Sequence, residues 1–137
     1  EEFRQTLDVM REVRFDSGFM FKYSERPQTP AARLEDDVPA AVKDERLQQV
    51  IALQDELWTQ AAAGCIGQEW AMAIEGEDLK GRGFFRGRTL NNRKVLVPRR
   101  AGLRVGDELL VRVTGCEGTT FRAEPCSVLW KYDHDAA

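Results

Sequence analysis

Histidine and cysteine are both scarce in this 137-residue sequence. The one histidine, His134, lies in a polar tail, so we expect no catalysis that relies on a histidine base. The three cysteines, Cys65, Cys116 and Cys126, are odd in number and show no CxxC or CxxxCxxC spacing. Zinc and iron–sulfur sites need such spacings, and disulfide frameworks need pairs. We therefore expect reduced thiols in a cytoplasmic protein, with no metal site, cofactor or catalytic residue in this chain.

Long apolar runs are also missing. No run approaches the roughly 20 residues that span a bilayer, and the charged opening EEFRQ is unlike a signal peptide. We expect no membrane partner. The sequence begins without a methionine and inside an amphipathic pattern, which favours a piece of a longer protein.

Acidic residues are absent from residues 79–104, which carry nine Lys and Arg. The flanking segments are acidic, with net charges of −9 for residues 1–78 and −3 for residues 105–137. A concentrated basic stretch with interleaved aromatics and glycines is typical of a nucleic-acid partner, above all RNA or single strands. A phosphate ligand and a merely solvated basic face are the alternatives. The candidate RNA-binding residues are Lys80, Arg82, Phe84, Phe85, Arg86, Arg88, Asn91, Asn92, Arg93, Lys94, Arg99 and Arg100.

The first 63 residues have the pattern of an α/β unit followed by a long helix. Apolar residues spaced by three or four predict a helix over residues 2–14, and Phe19–Phe21 read as a short buried strand. The polar loop after it offers Tyr23, Ser24 and Arg26 as substrate-loop candidates, because loops after strands carry the active sites of α/β barrels. An ordinary surface connection is the alternative.

A helix is predicted from Pro39 to about Ala63, where Gly64 stops it. A coiled coil is the competing interpretation of this long helix. From Ile66 the apolar period changes to two, and about five short strands follow, starting near Trp70, Leu79, Val95, Glu108 and Thr119. Short strands joined by tight turns predict a small five-stranded antiparallel barrel of OB type, which makes the chain α+β.

Three segments result from this pattern: residues 1–63, a barrel over 64–130, and a tail over 131–137. Phe84 and Phe85 are adjacent on a predicted strand, so we expect one to be buried and the other exposed. The apolar groups of residues 1–38 have no evident partners. We expect this segment to be the less stable one and a possible site of self-association.

Seven short strings have a pattern that a known family shares; they occupy residues 21–32, 37–39, 43–47, 51–54, 87–89, 91–93 and 106–107. They resemble the bacterial tRNA methylthiotransferases: the end of their radical-SAM core, the helix after it, and their C-terminal TRAM domain, a small RNA-binding barrel. The string YSERPQTPAA is the most specific and favours the enzymes that act on isopentenyl-adenosine beside the anticodon. Gln28 departs from the usual glycine, and Arg99 and Arg100 add charge.

The resemblance implies a parent transferase that uses two 4Fe–4S clusters and S-adenosylmethionine, and a barrel that holds the anticodon arm of tRNA. It also implies that this chain alone is inactive, because its cysteines lack the cluster spacing. Two alternatives remain. One is a stand-alone RNA-binding module, and the other is the relative that methylthiolates a ribosomal protein.

Overall fold

The computed structural model describes residues 1–133, so His134 and the end of the predicted tail lie outside the described residues. Two α-helices, a short 3₁₀ helix and five strands follow one another along the described chain. They form two compact units, Glu1–Ala61 and a second that begins at Ala62. Within residues 1–133, no helix is long and apolar enough to cross a membrane.

The predicted helices lie in the first unit, apart from the last two residues of the second helix. Helix α1 spans Glu2–Val13 and helix α2 spans Ala40–Ala63. Arg14 ends α1 in a left-handed conformation with φ 55° and donates its backbone N–H to the Met10 carbonyl, which is a common way for a helix to end. The Arg14 guanidinium also donates to Gln60 Oε1 at 2.8 Å. This bond ties the end of α1 to α2.

The strand expected at Phe19–Phe21 does not form, so this part of the prediction is wrong. Phe19 and Phe21 are 94% and 81% exposed. A strand is held by hydrogen bonds to a neighbouring strand, and the described part of the first unit contains none. An apolar triplet is therefore not enough to make a strand.

The loop after residue 21 keeps a backbone conformation suited to glycine. Gln28 stands where the resembling family carries glycine, and its φ is 69°, in the left-handed region. Thr29 Oγ1 donates to the Arg26 carbonyl at 2.9 Å and accepts the N–H of Ala32. A 3₁₀ helix, Pro30–Arg33, follows. These bonds hold the turn in the presence of a side chain at Gln28.

The second unit is a closed barrel of five strands in the order β1-β2-β3-β5-β4. This confirms the predicted OB-type barrel. Among residues 1–133, no further strand is present. The strands are β1 (Glu69–Glu77), β2 (Phe84–Thr89), β3 (Lys94–Pro98), β4 (Glu108–Glu117) and β5 (Thr120–Trp130).

Two details of the predicted barrel need correction. Its strands are not all antiparallel, because β3 and β5 pair in parallel, with Val95 opposite Phe121. A closed ring with an odd number of strands cannot alternate direction all the way round, so one pair must be parallel. Strand β2 also begins at Phe84 rather than at Leu79. The preceding residues form a loop in which Gly81 and Gly83 have φ of 63° and 77°, a conformation that interrupts a strand.

The barrel core is built from alternate strand residues, as the period of two predicts. Leu109, Val111 and Val113 on β4 are all at most 1% exposed, and Phe121 on β5 is fully buried. The Trp70 ring packs edge-on against Phe121 with 4.8 Å between ring centroids.

The described end of the chain is fastened to the barrel by a buried carboxylate. Asp107 is 1% exposed and accepts hydrogen bonds from the N–H groups of Arg104 and Tyr132, at 2.9 and 3.1 Å, and from Lys131 Nζ at 2.8 Å. Burial alone raises the pKa of Asp107, but these three donors outweigh it and hold the pKa below the ordinary 3.8.

Replacing Asp107 by asparagine should lower the free energy of unfolding by about 1–3 kcal/mol at pH 7, because an amide cannot accept three donors as well as a carboxylate can. A carboxyl whose pKa is lower in the folded than in the unfolded chain stabilises the fold when the pH is above its pKa in the unfolded chain. This stabilisation is lost as the pH falls through the pKa of the folded state. Urea unfolding at several pH values checks this. The difference in free energy of unfolding between wild type and Asp107→Asn should become smaller below about pH 4. A difference that does not depend on pH would contradict this role of Asp107.

Candidate nucleic-acid interface

A groove of about 440 Å³ opens on the surface of the barrel. Glu75 of β1 and the loop after that strand line the groove together with residues of β2 and β3 and the adjoining ends of β4 and β5. Six cations and three carboxylates line this basic groove, giving its side chains a net charge of +3. The cations are Lys80, Arg82, Arg86, Arg88, Lys94 and Arg122, and the carboxylates are Glu75, Asp78 and Glu117.

Arg86 and Arg88 share one carboxylate, that of Glu75. Arg86 Nη1 lies 3.7 Å from Glu75 Oε2, and Arg88 Nε lies 3.5 Å from Glu75 Oε1. The two arginines alternate along β2, so both side chains project from the same face of the strand. Two guanidinium groups thus face one carboxylate.

Each of these arginines is also held by a second contact. Arg86 Nε donates to the carbonyl of Glu77 at 3.2 Å, and Arg88 Nη1 donates to Asn92 Oδ1 at 2.6 Å. Asn92 has φ 63° in the turn between β2 and β3, a conformation that asparagine tolerates well. Asn92 is therefore both a turn residue and a positioning residue for Arg88.

The residue between the two arginines has to be glycine. A Cβ at Gly87 would lie 2.0 Å from the Ala73 carbonyl oxygen and 2.4 Å from the Met72 side chain. The backbone of β2 therefore approaches β1 closely at this point. Arg86 and Arg88 flank this point of close approach.

Arg82 and Asp78 form the tightest ion pair of the groove, with Arg82 Nε donating to Asp78 Oδ2 at 2.8 Å. This hydrogen bond lowers the pKa of Asp78 and raises the pKa of Arg82. Arg82 also lies 3.9 Å from Glu117. In this way the fold brings acidic groups from the loop after β1 and from the end of β4 onto a segment whose own sequence has none.

Arg122 belongs to the groove although it lies outside the basic stretch. Its Nε and Nη2 donate to the two carboxylate oxygens of Glu117, both at 3.0 Å. Its guanidinium lies 5.0 Å from the centroid of the Phe84 ring, within the range of a cation–π contact. Arg122 reaches the groove because β3 and β5 pair in parallel, which places Arg122 opposite Leu96. The sequence analysis did not predict this parallel pairing and therefore missed Arg122.

The two phenylalanines of the basic stretch are on different sides of β2. Phe85 is 5% exposed and belongs to the core, whereas Phe84 is half-buried. The Arg99 guanidinium lies 5.4 Å from the Phe85 centroid and forms an ion pair with Glu77 at 3.2 Å. Of the two rings, Phe84 is thus the more accessible one, and the Arg122 guanidinium lies over it.

Lys80 and Lys94 line the groove without an ion pair to any residue of the described chain. Lysine keeps a compact charge on a flexible stem. These two side chains can therefore reach a phosphate without first giving up a carboxylate partner.

Seven of the twelve candidates do not line the groove: Phe84, Phe85, Asn91, Asn92, Arg93, Arg99 and Arg100. Arg93 packs its guanidinium over Trp70 and Phe121, at 5.1 and 5.7 Å from the ring centroids, and donates to Cys65 Sγ at 2.9 Å. Arg100 donates to Glu124 at 2.8 Å, and the Asn91 side chain accepts from the hydroxyl of Thr89. The fold therefore uses several of the predicted cations for packing and turn formation.

The substrate-loop candidates Tyr23, Ser24 and Arg26 belong to the first unit, whereas every residue of the groove belongs to the second. All three are exposed. The neighbouring Lys22 pairs with Asp44 at 2.6 Å.

The cysteines do not fit a metal centre. Cys65 is buried beneath Arg93, Cys116 is half-buried and Cys126 is exposed. Burial raises the pKa of the Cys116 thiol, which disfavours the thiolate form that binds metals. In residues 1–133, no group of three or more histidine, cysteine or acidic residues is arranged to hold a metal ion.

Comparison with known proteins identifies the relatives of this chain. The tRNA-2-methylthio-N(6)-dimethylallyladenosine synthase of Porphyromonas gingivalis is 46% identical over 125 residues, covering 90% of this chain and 27% of the relative. That of Chloroherpeton thalassium is 45% identical over 116 residues, covering 84% and 26%. The chain thus spans about a quarter of the length of these relatives.

No protein-family model matches the chain. A solved Streptococcus pneumoniae structure, described as a multidomain protein with nucleic acid binding domains, aligns with a TM-score of 0.40 and 17% identity. It covers 52% of this chain and 26% of that one, and so weak a likeness supports no conclusion. The sequence relatives are decisive: the resemblance is confirmed, and this chain is a homologue of one segment of the tRNA methylthiotransferases.

Proposed function

We propose that this chain is the RNA-binding portion of a tRNA-modifying methylthiotransferase, and that the basic groove of its barrel holds a single-stranded part of the tRNA anticodon arm. The observation that carries the proposal is the groove itself. Five cations of the basic stretch and Arg122 from β5 line one depression on a closed barrel, and the Arg122 guanidinium lies over the Phe84 ring. Single-strand-binding proteins combine such a charged groove with aromatic stacking faces.

The parent protein, on this proposal, adds a methylthio group to isopentenyl-adenosine beside the anticodon, in the cytoplasm. The substrate named for the relatives supports this assignment. The radical-SAM chemistry implied by the resemblance needs 4Fe–4S clusters and S-adenosylmethionine, and the cysteines of this chain do not fit a cluster. We therefore assign this chain substrate holding and no chemical step. Alone, it should not catalyse the transfer.

A titration with RNA tests the proposal. A labelled anticodon stem-loop should bind the chain at low salt, and log affinity should fall linearly with log salt by about 0.7 for each single-strand phosphate contact. A fully paired hairpin of the same length is the control and should bind more weakly, because its bases cannot stack on Phe84. Absence of binding at low salt, or binding that salt does not weaken, would contradict the proposal.

The loop of the first unit is proposed to act in a different way, by placing the substrate for the absent catalytic core. Changing Tyr23 or Arg26 to alanine should lower methylthiolation by the full-length enzyme about tenfold or more. RNA affinity of the present chain should change less than twofold, because neither residue lines the groove. Parallel activity and binding assays check this. Equal losses of RNA affinity from these changes and from changes in the groove would contradict it.

The exposed rings of Phe19 and Phe21 support one further element of the proposal. They form part of an apolar surface that the rest of the parent protein covers, and in the isolated chain this surface favours self-association.

A further inference from the structure

We infer that the Glu75 carboxylate occupies the position of a backbone phosphate of the bound strand, so that Glu75 acts as a built-in competitor that weakens RNA binding. This inference rests on the proposed function. A carboxylate and a phosphodiester both present two oxygens and one negative charge. Arginine binds both through its planar fork. The place where Arg86 and Arg88 converge on Glu75 is therefore shaped for either group.

The contacts of Glu75 are loose. Its oxygens lie 3.5 and 3.7 Å from the two guanidinium groups, whereas charge-assisted hydrogen bonds measure about 2.7–2.9 Å. A second glutamate of β1, Glu69, reaches that length, with Arg112 at 2.7 Å. Exposed ion pairs contribute little even with good geometry. Glu75 is therefore held weakly enough for an incoming phosphate to displace it.

The two arginines stay in place when Glu75 leaves, because each has an anchor of its own. Arg86 Nε is bonded to the Glu77 carbonyl, and Arg88 Nη1 is bonded to Asn92. Neither anchor uses the nitrogen that faces Glu75, since those are Arg86 Nη1 and Arg88 Nε. The donors toward a phosphate are thus already oriented, which reduces the entropy lost on binding.

The role of Glu75 can be separated from the charge of the barrel as a whole. Glu69 is a matched control: it lies on the same strand, pairs with one arginine and has a side chain 43% exposed, against 40% for Glu75. Glu69 does not line the groove. Each change to glutamine removes one negative charge and keeps the side-chain shape.

The test measures binding of a labelled single-stranded oligouridylate to wild type, Glu75→Gln and Glu69→Gln at several salt concentrations. Glu75→Gln should bind about three- to tenfold more tightly than wild type at low salt, because a repulsive charge a few ångströms from the phosphate is removed. The gain should shrink as salt screens the repulsion. Glu69→Gln should change affinity less than twofold. Thermal unfolding of the three proteins checks that all are folded.

The outcomes separate this inference from the proposed function. If wild type binds in a salt-dependent way and Glu75→Gln binds no more tightly than Glu69→Gln, Glu75 is no competitor, and the proposed RNA binding stands. Weaker binding by Glu75→Gln would likewise overturn the inference, since it would show Glu75 to be a support for the arginines. If none of the three proteins binds at low salt, the proposed function fails and this inference fails with it.

Discussion

Replacing Arg86 and Arg88 together by alanine should weaken binding of single-stranded RNA about a hundredfold at moderate salt. Each arginine offers a charge-assisted hydrogen bond that contributes about 1.5 kcal/mol, or roughly a factor of ten in affinity. Removing two phosphate contacts should also reduce the slope of log affinity against log salt by about 1.4. Fluorescence anisotropy across a salt series measures both quantities.

The matched control removes two arginines that do not line the groove, Arg104 and Arg112. This double variant loses two positive charges, as the Arg86 and Arg88 variant does. It therefore measures how much of the affinity comes from general electrostatic attraction. We expect an affinity loss below about fivefold and a nearly unchanged slope. If the two double variants lose affinity equally, the basic groove is not the binding site.

Gly87→Ala should unfold the barrel or lower its free energy of unfolding by about 3 kcal/mol or more. The added methyl group would lie 2.0 Å from the backbone oxygen of Ala73, so strands β1 and β2 must separate where Ile74 pairs with Gly87. Forced overpacking against other side chains costs about 1–3 kcal/mol, and a fixed backbone atom yields less readily than a side chain. Urea unfolding followed by tryptophan fluorescence measures the loss.

Gly115→Ala is the control for this change. Gly115 is also a strand residue, on β4, and an added Cβ there meets no atom within 4 Å. We expect its free energy of unfolding to change by less than about 1 kcal/mol. Similar losses from Gly87→Ala and Gly115→Ala would show that the close approach of β2 to β1 is not what requires glycine.

The barrel could be predicted because the pattern that indicates each strand lies within a short segment of the sequence. Alternation of apolar residues along β1 and β4 assigns Met72, Leu109 and Val111 to the core, and all three are buried. The presence of a parallel pair could have been deduced as well, since five strands cannot close a ring without one. The prediction for Phe19–Phe21 failed for the opposite reason. A strand depends on a neighbour, and an apolar triplet carries no information about one.

The binding groove was predicted only in part, because its chemistry depends on residues distant in sequence. The cations of residues 79–104 were visible as a run without acids. The acids that face them, Glu75, Asp78 and Glu117, come from outside that run, and so does Arg122. Charge counted along a segment therefore overstated the charge of the surface. Pairing between strands determines which cations remain available to a ligand.

The central claim, that RNA lies in the groove formed by β2, β3 and the start of β5, is tested most directly by mapping the bound surface. Amide chemical shifts of the isotope-labelled chain, followed during titration with an unlabelled anticodon stem-loop at low salt, identify the residues that the RNA approaches. The account predicts the largest changes at residues 78–82, 86–88, 94–96 and 120–122, which line the groove or adjoin its lining. Changes concentrated in α1, α2 or residues 125–130 of β5, with the groove residues unaffected, would contradict the claim that RNA lies in the groove.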